Sequence, residues 1–157
     1  KKIKKNKSCL ILILDGITDT KNFGAIVRSA ECFGVDFIVI SKSGNSPING
    51  ETIKSSSGAI FNVPICKVDH IKDAIYFLKE FGIKIIGSDD KGSKNLFMHK
   101  FEEKCAIIMG SEGDGIKKSI LNLCDDKINI PLYGKLSSLN VSVATGIFLS
   151  EFKRQQS

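Results

Sequence analysis

Residues 130–146, Ile-Pro-Leu-Tyr-Gly-Lys-Leu-Ser-Ser-Leu-Asn-Val-Ser-Val-Ala-Thr-Gly, carry the most informative pattern in this chain. Pro131 stops a strand, because proline has no backbone N–H to donate to a sheet ladder. A polar loop then leads to a helix that opens at Asn140, a residue type favoured as a helix cap. The small residues at positions 142, 144 and 146 are typical of a closely packed helix face. The stretch therefore predicts a strand, a polar loop and a tightly packed helix.

On both sides of this stretch, short apolar runs alternate with helical segments. The runs predict strands at 9–15, 36–41, 62–67, 82–88, 105–109 and 127–130. They are almost continuously apolar, as parallel strands buried on both faces are. Helical patterns occupy 22–33, 50–57, 70–81, 116–124 and 140–155. The sequence therefore predicts an α/β fold with a mostly parallel sheet and helices on both faces.

Composition limits the class of protein. A chain of 157 residues with 42% hydrophobic residues suits one compact domain. We expect residues 1–7 to be a basic linker or trimmed N-terminus and residues 8–157 to be the domain. The net charge of +6 is a weak indication of a polyanionic partner. No apolar run approaches the length of a membrane span, and no secretory signal opens the chain.

The cysteines indicate the cellular compartment. The five cysteines are scattered and contain no C-x-x-C pair. This spacing argues against a disulfide framework or a zinc site, and it favours a reducing, cytoplasmic setting. We therefore expect no metal.

Ligands of parallel sheets bind at the loops that leave the carboxyl ends of the strands. One such loop lies in residues 14–30, where a strand, a polar turn and a helix carry Asn22, Gly24 and Arg28. Arg28 stands among apolar neighbours, so we expect it to lie off the plainly solvated face. A contact with phosphate or ribose is one interpretation of Arg28, and a surface ion pair with an acid is the other.

A second unusual loop is Gly110-Ser111-Glu112-Gly113-Asp114-Gly115. Its three glycines let the backbone pass close to a ligand. The loop lacks the G-x-G-x-x-G spacing and carries two acids where a pyrophosphate would favour none. It therefore favours an uncharged or cationic ligand, and the alternative is an ordinary glycine turn before a helix.

Taken together and in this order, the three segments resemble motifs one, two and three of the SpoU (TrmH-like) methyltransferases of the SPOUT superfamily. The matching strings are Asn22…Gly24…Arg28, then residues 110–115, then Pro131 followed by residues 137–144. The resemblance covers about residues 9–155 and is strongest to the branch that methylates a guanosine ribose of 23S ribosomal RNA. It implies an RNA ribose 2′-O-methyltransferase that uses S-adenosylmethionine, forms a homodimer and has a C-terminal trefoil knot.

The resemblance also implies roles for particular residues. Arg28 would act across the dimer interface, near the donor bound by the other protomer. The residues implied in catalysis are Arg28, Asn22, Glu112, Ser138 and Asn140. The residues implied in donor binding are Gly110, Ile130, Leu139, Met109, Leu132, Ser138 and Ser88.

Three alternatives remain open at this point. A transfer RNA could replace ribosomal RNA as the substrate. The chain could instead be a non-catalytic knotted module for RNA binding or dimerisation, since relatives of this branch usually carry an N-terminal RNA-recognition domain that residues 1–157 lack. A nucleotide-binding dehydrogenase is the third, but no glycine-rich turn follows the first strand.

Overall fold

The structure is a computed structural model, which describes residues 7–157 and contains a seven-stranded sheet. Most of the predicted linker, residues 1–6, lies outside the described residues. The strands are β1 (Cys9–Asp15), β2 (Phe37–Ser41), β3 (Ile65–Val68), β4 (Lys84–Ser88), β5 (Lys94–Asn95), β6 (Lys104–Gly110) and β7 (Asp126–Asn129). The α-helices are α1 (Thr20–Cys32), α2 (Gly50–Ser55), α3 (Ile71–Glu80), α4 (Lys118–Leu121) and α5 (Val141–Gln156), with 3₁₀-helices at Ala59–Phe61 and Leu96–Met98.

All neighbouring strands of the sheet pair in parallel, in the order β3-β2-β1-β6-β4-β7-β5. The central pair is β1 and β6, and their ends coincide because Asp15 lies opposite Gly110. Since parallel strands all point the same way, the loops after β1, β4, β6 and β7 leave from one edge of the sheet. We call this the carboxyl edge.

The sheet separates two apolar cores. Leu10, Leu12 and Leu14 of β1 face one core, which contains side chains of α1 and α5. Cys9, Ile11 and Ile13 face the other core, which contains side chains of α3 and α4. Successive side chains of a strand point to opposite faces, so an entirely apolar β1 requires cover on both sides. The α/β prediction with helices on both faces is confirmed.

Helix starts and close contacts bring the loops of the carboxyl edge into place. A carboxylate oxygen of Asp19 accepts a hydrogen bond from the Asn22 backbone N–H at 2.7 Å and so caps α1. At Gly24, a Cβ would lie 1.8 Å from the hydroxyl of Ser55 in α2. The glycine of the first motif therefore serves the packing of α1 against α2.

The predicted elements differ most from the structure in three places. The strand predicted at 62–67 begins only at Ile65, because a 3₁₀-helix starts after Gly58, whose φ is +80°. The helix predicted at 116–124 shortens to α4, because the backbone N–H of Lys117 bonds to a side chain of β1. The two-residue strand β5 has no sequence pattern long enough to predict it.

Candidate active site at the carboxyl edge

A cleft of about 760 Å³ lies at the carboxyl edge, which is a volume typical of small-molecule sites. We call it the large cleft. Three segments line it, one after β4, one after β6 and one that enters α5, and they comprise residues 88–91, 109–116 with 118 and 121, and 137–141 with 144. The second and third segments carry two of the three motifs, so the structure joins parts of the chain that lie far apart in sequence.

The glycine loop closes tightly on its own strand. Ser111 and Gly115 exchange backbone hydrogen bonds of 3.2 and 2.9 Å. A Cβ on Gly110 would lie 2.1 Å from the carbonyl carbon of Gly115 and equally close to the Ile116 nitrogen. Since these neighbours are backbone atoms, no side chain fits at position 110 without moving the loop. Gly110 therefore shapes one wall of the large cleft.

Asp15 holds the far end of the same loop. Its carboxylate is 3% exposed and accepts a hydrogen bond from the Lys117 backbone N–H at 2.9 Å. The Lys117 ammonium lies 3.7 Å from the other carboxylate oxygen. Sequence reasoning did not single out Asp15, although a lone acid at the end of an apolar strand is a usable signal.

The three motifs meet at the side-chain amide of Asn140. Its Nδ2 donates hydrogen bonds to Asn22 Oδ1 at 3.0 Å and to Glu112 Oε1 at 2.8 Å. Its Oδ1 accepts from the backbone N–H groups of Ser142 and Val143, at 2.9 and 3.3 Å, and so caps α5. Of the five predicted catalytic residues, the structure therefore brings Asn22, Glu112 and Asn140 into one hydrogen-bonded cluster. We call these three residues the Asn140 cluster.

Most residues expected at the donor lie around the large cleft. Ser88, Met109, Gly110, Ser138 and Leu139 all line it. Ile130 and Leu132 are not among the lining residues. Ile130 packs, partly buried, against the core on the α1 side, and Leu132 lies on the surface.

Arg28 lies apart from this cluster. It is exposed, in the third turn of α1, and its side chain forms no hydrogen bond or ion pair with any of residues 7–157. The expectation that its apolar neighbours keep it off the solvated face is wrong. Each helical residue turns by about 100°, so position 28 faces outward although Val27 beside it is buried. Within one copy of the chain, Arg28 is not brought to the Asn140 cluster.

Acidic side chains outnumber basic ones around the large cleft. Asp89, Asp90, Glu112 and Asp114 line it, against Lys91 and Lys118. Burial raises the pKa of Asp90, and the neighbouring charge of Asp89 raises it further. Sequence reasoning missed this acid pair, which follows a buried strand directly. The excess of acids favours a cationic ligand, as the second motif predicted.

A second, smaller cleft of about 240 Å³ adjoins the large one. Its lining residues come from the turn after β1, the start of α1, the glycine loop and α5, and they are Gly16, Ile17, Thr18, Asp19, Asn22, Ser111, Glu112 and Val141. Ser111, Glu112 and Val141 line both clefts. The Asn140 cluster therefore stands at the junction of the two.

Among residues 7–157, no group of three or more His, Cys, Asp or Glu side chains is arranged to hold a metal ion. In the same part of the chain, no helix has the length and apolar character needed to span a bilayer.

An all-parallel sheet with a cleft at its carboxyl edge, lined by loops that carry two of the three motifs, is typical of α/β domains that bind small molecules. Residues 9–150 match the family model described as the SpoU rRNA Methylase family. The chain belongs to this family.

One curated relative within this family is similar to nearly the whole chain. The chain is 40% identical to the 23S rRNA (guanosine-2′-O-)-methyltransferase RlmB of Vibrio vulnificus (strain CMCP6) over 154 residues. The matched region covers 98% of this chain and 62% of that protein. The chain thus spans about three fifths of the length of this curated relative.

Two solved structures have the same fold. The A. aeolicus TrmH/SpoU tRNA modifying enzyme superimposes with a TM-score of 0.87 at 32% identity, over 98% of this chain and 78% of that one. The SpoU methyltransferase AviRb from Streptomyces viridochromogenes, in complex with its cofactor AdoMet, superimposes with a TM-score of 0.89 at 25% identity, over 96% and 59%.

Proposed function

We propose that this chain is the catalytic domain of a 23S rRNA guanosine ribose 2′-O-methyltransferase that uses S-adenosylmethionine. The observation that carries the proposal is the Asn140 cluster, in which residues of all three motifs share one amide between two clefts. The 40% identity to RlmB supports ribosomal RNA as the substrate. Residues 8–157 form the domain in this proposal.

The large cleft fits S-adenosylmethionine in size and charge. The donor's sulfonium is cationic, which suits a lining with four acids and two lysines. The absence of a Cβ at Gly110 lets the backbone of residues 115 and 116 pack directly against it, which shapes this wall of the cleft. Ser88, Met109, Ser138 and Leu139 line the same space, and the backbone of residues 130–132 lies in the loop that leads to it. We assign these residues, with Gly110, to donor binding.

When bound, S-adenosylmethionine supplies a methyl group on a sulfonium centre that leaves as a neutral thioether. The ribose 2′-oxygen forms the new C–O bond as the C–S bond breaks, and the hydroxyl proton passes to solvent or to an RNA phosphate. Because the leaving group is neutral, no general acid is needed. The chain's main contribution is to hold the ribose in line, which by itself supplies a large share of the acceleration.

Each motif residue has a role in that alignment. Asn22 and Asn140 hold the ribose or the loop beside it, and Glu112 fixes the junction and favours the cationic donor. Arg28 contacts a phosphate of the target and stabilises negative charge on the attacking oxygen. A guanidinium is a poor base, since its pKa exceeds about 12, so we assign it charge stabilisation instead of proton removal.

The exposed position of Arg28 supports a homodimer in which it serves the site of a second copy. Several apolar side chains near α5 are also exposed, among them Tyr133, Leu136 and Val143. We place the dimer interface here. We also propose that the segment after β7 forms a trefoil knot, because it returns from near the sheet edge to the loops after β4 and β6.

Transfer RNA is the second candidate substrate, and the similarity to the A. aeolicus tRNA modifying enzyme is the observation in its favour. A non-catalytic module is disfavoured by the intact Asn140 cluster, because neither RNA binding nor dimerisation needs a linkage at the junction of two clefts. Modification of ribosomal RNA is consistent with a cytoplasmic location, which we include in the proposal.

Calorimetric titration with S-adenosylmethionine and S-adenosylhomocysteine, with NAD as a control, tests the donor assignment. We expect saturable binding of the adenosyl ligands and none of NAD. A folded dimer that binds neither adenosyl ligand would favour the non-catalytic module.

The substrate assignment is tested by transfer of a radiolabelled methyl group to 23S rRNA and to tRNA transcripts, followed by nucleoside mass spectrometry. We expect 2′-O-methylguanosine in the 23S transcript. Arg28→Ala should abolish transfer and leave donor affinity intact, with the exposed Lys54→Ala as a matched control for loss of a surface cation. Near-normal transfer by Arg28→Ala would contradict the role of Arg28.

A further inference from the structure

The smaller cleft has polar groups with no partner. One carboxylate oxygen of Asp19 accepts from the Asn22 backbone N–H, and the other has no hydrogen bond within residues 7–157. The Asn22 Nδ2 and the Thr18 hydroxyl likewise have no hydrogen-bond partner in that part of the chain. The cleft therefore offers a free charged acceptor beside a free amide donor.

The position of this cleft relative to the donor site limits what can occupy it. The two clefts meet at Ser111, Glu112 and Val141. A nucleotide whose base lies in the smaller cleft has its ribose at this junction, beside the Asn140 cluster and the large cleft. Enzymes that modify a base turn it out of its stack and read its Watson–Crick edge in a pocket. The same kind of recognition would suit an enzyme that selects one nucleotide for modification of its ribose. The smaller cleft is where such a base would lie.

We propose that the smaller cleft binds the base of the target nucleotide and that Asp19 selects guanine. The Watson–Crick edge of guanine presents two neighbouring donors, N1–H and the 2-amino group, and a carboxylate has four acceptor sites for them. The free Asn22 Nδ2 complements the guanine O6. Adenine presents an unprotonated N1 to the same carboxylate, so a repulsive contact replaces a hydrogen bond. This inference rests on the proposed function.

Asp19→Asn is a sharp test because it preserves the fold. Asparagine caps helices as well as aspartate does, and its carbonyl oxygen still accepts from the Asn22 N–H. The other oxygen becomes an NH₂ group, which faces the guanine donors with a donor. Asp19 does not line the large cleft, so we expect donor affinity to stay unchanged.

The experiment titrates guanosine, adenosine and inosine 5′-monophosphates into the isotope-labelled chain saturated with S-adenosylhomocysteine, and follows backbone amide NMR shifts. We expect GMP to bind about ten-fold more tightly than AMP, the discrimination that one bidentate contact gives. Inosine monophosphate, which lacks the 2-amino group, should fall between them. Asp19→Asn should remove the preference, and the exposed Asp73→Asn, on the opposite face of the sheet, should keep it.

Three results would overturn the assignment of the base pocket: equal affinity for GMP and AMP, shifts confined to residues outside the smaller cleft, or a guanine preference that survives in Asp19→Asn. Absence of S-adenosylhomocysteine binding would instead contradict the proposed function. In that case the nucleotide titration is carried out on the free chain, and the same three results would still overturn the assignment of the base pocket.

Discussion

Gly110→Ala puts the geometry of the donor site to the most direct test. The new Cβ would lie 2.1 Å from the Gly115 carbonyl carbon, whereas ordinary contacts begin at 3.4 Å. The backbone of the glycine loop must therefore move by about 1.3 Å, because no flexible side chain is available to give way. Overpacking of this kind costs about 1–3 kcal/mol, which in a domain of this size lowers the Tm by several degrees.

The substitution should affect the donor site more strongly than it affects the stability of the domain. The displaced loop lines the large cleft, and a misplacement of about 1 Å in a positioned site lowers the reaction rate on the order of 100-fold. We therefore expect methyl transfer to slow by about 100-fold, and the Kd for S-adenosylhomocysteine to rise, in a variant that remains folded by circular dichroism. A methyl-transfer assay measures the rate, calorimetry measures the Kd, and thermal denaturation measures the stability.

Gly134→Ala is the matched control, because a Cβ at that position meets no heavy atom within 4 Å and the φ is not positive. It lies in the same loop that leads into α5 and should bind the donor normally. If Gly110→Ala bound S-adenosylhomocysteine within twofold of the unaltered chain, the reasoning from backbone contact would be wrong.

Two further predictions concern α5. Asn140→Ala removes a helix cap and both bridging hydrogen bonds, so urea denaturation should show a loss of about 1–2 kcal/mol together with lost methyl transfer, while Ser150→Ala on the exposed face should change little. Hydrogen bonds from Arg154 and Gln155 lower the pKa of Glu151 to about 2 from 4.5. A depressed pKa means that the native state resists protonation, so this contribution to stability is present above about pH 4.5 and is lost as the pH falls towards 2. The free energy of unfolding should thus fall less steeply over that range in Glu151→Gln, and equal slopes would argue against the interaction.

The sequence was sufficient for six of the seven strands and for two of the three segments that line the large cleft, for a physical reason. Buried parallel strands are apolar throughout, so β1 and β6 stand out without any knowledge of their partners. Contacts between distant positions leave no such local pattern. The link from Asp15 to Lys117 spans 102 residues, so the acid at the end of β1 is visible in the sequence but its partner is not.

Arg28 shows that a local pattern can also mislead. Its apolar neighbours indicated partial burial, but the direction of a helical side chain depends on its angle around the axis more than on adjacent residues. The resemblance implies a role only for Ser88 in the loop after β4, so the acids beside it were not predicted. The smaller cleft could not be predicted, since it forms only where the turn after β1 meets α5.

The Asn140 cluster also fixes an order of events during synthesis. Asn140 bonds to Asn22, 118 residues earlier, and the segment 137–144 leaves the ribosome after every other part of both clefts. A parallel sheet with such distant pairings is slow to form, because the chain loses the entropy of closing long loops before the stabilising contacts are made. A nascent chain that has folded its sheet but has not yet docked α5 therefore lacks a wall of each cleft. Both clefts are thus completed together, only when translation of this domain reaches its last helix.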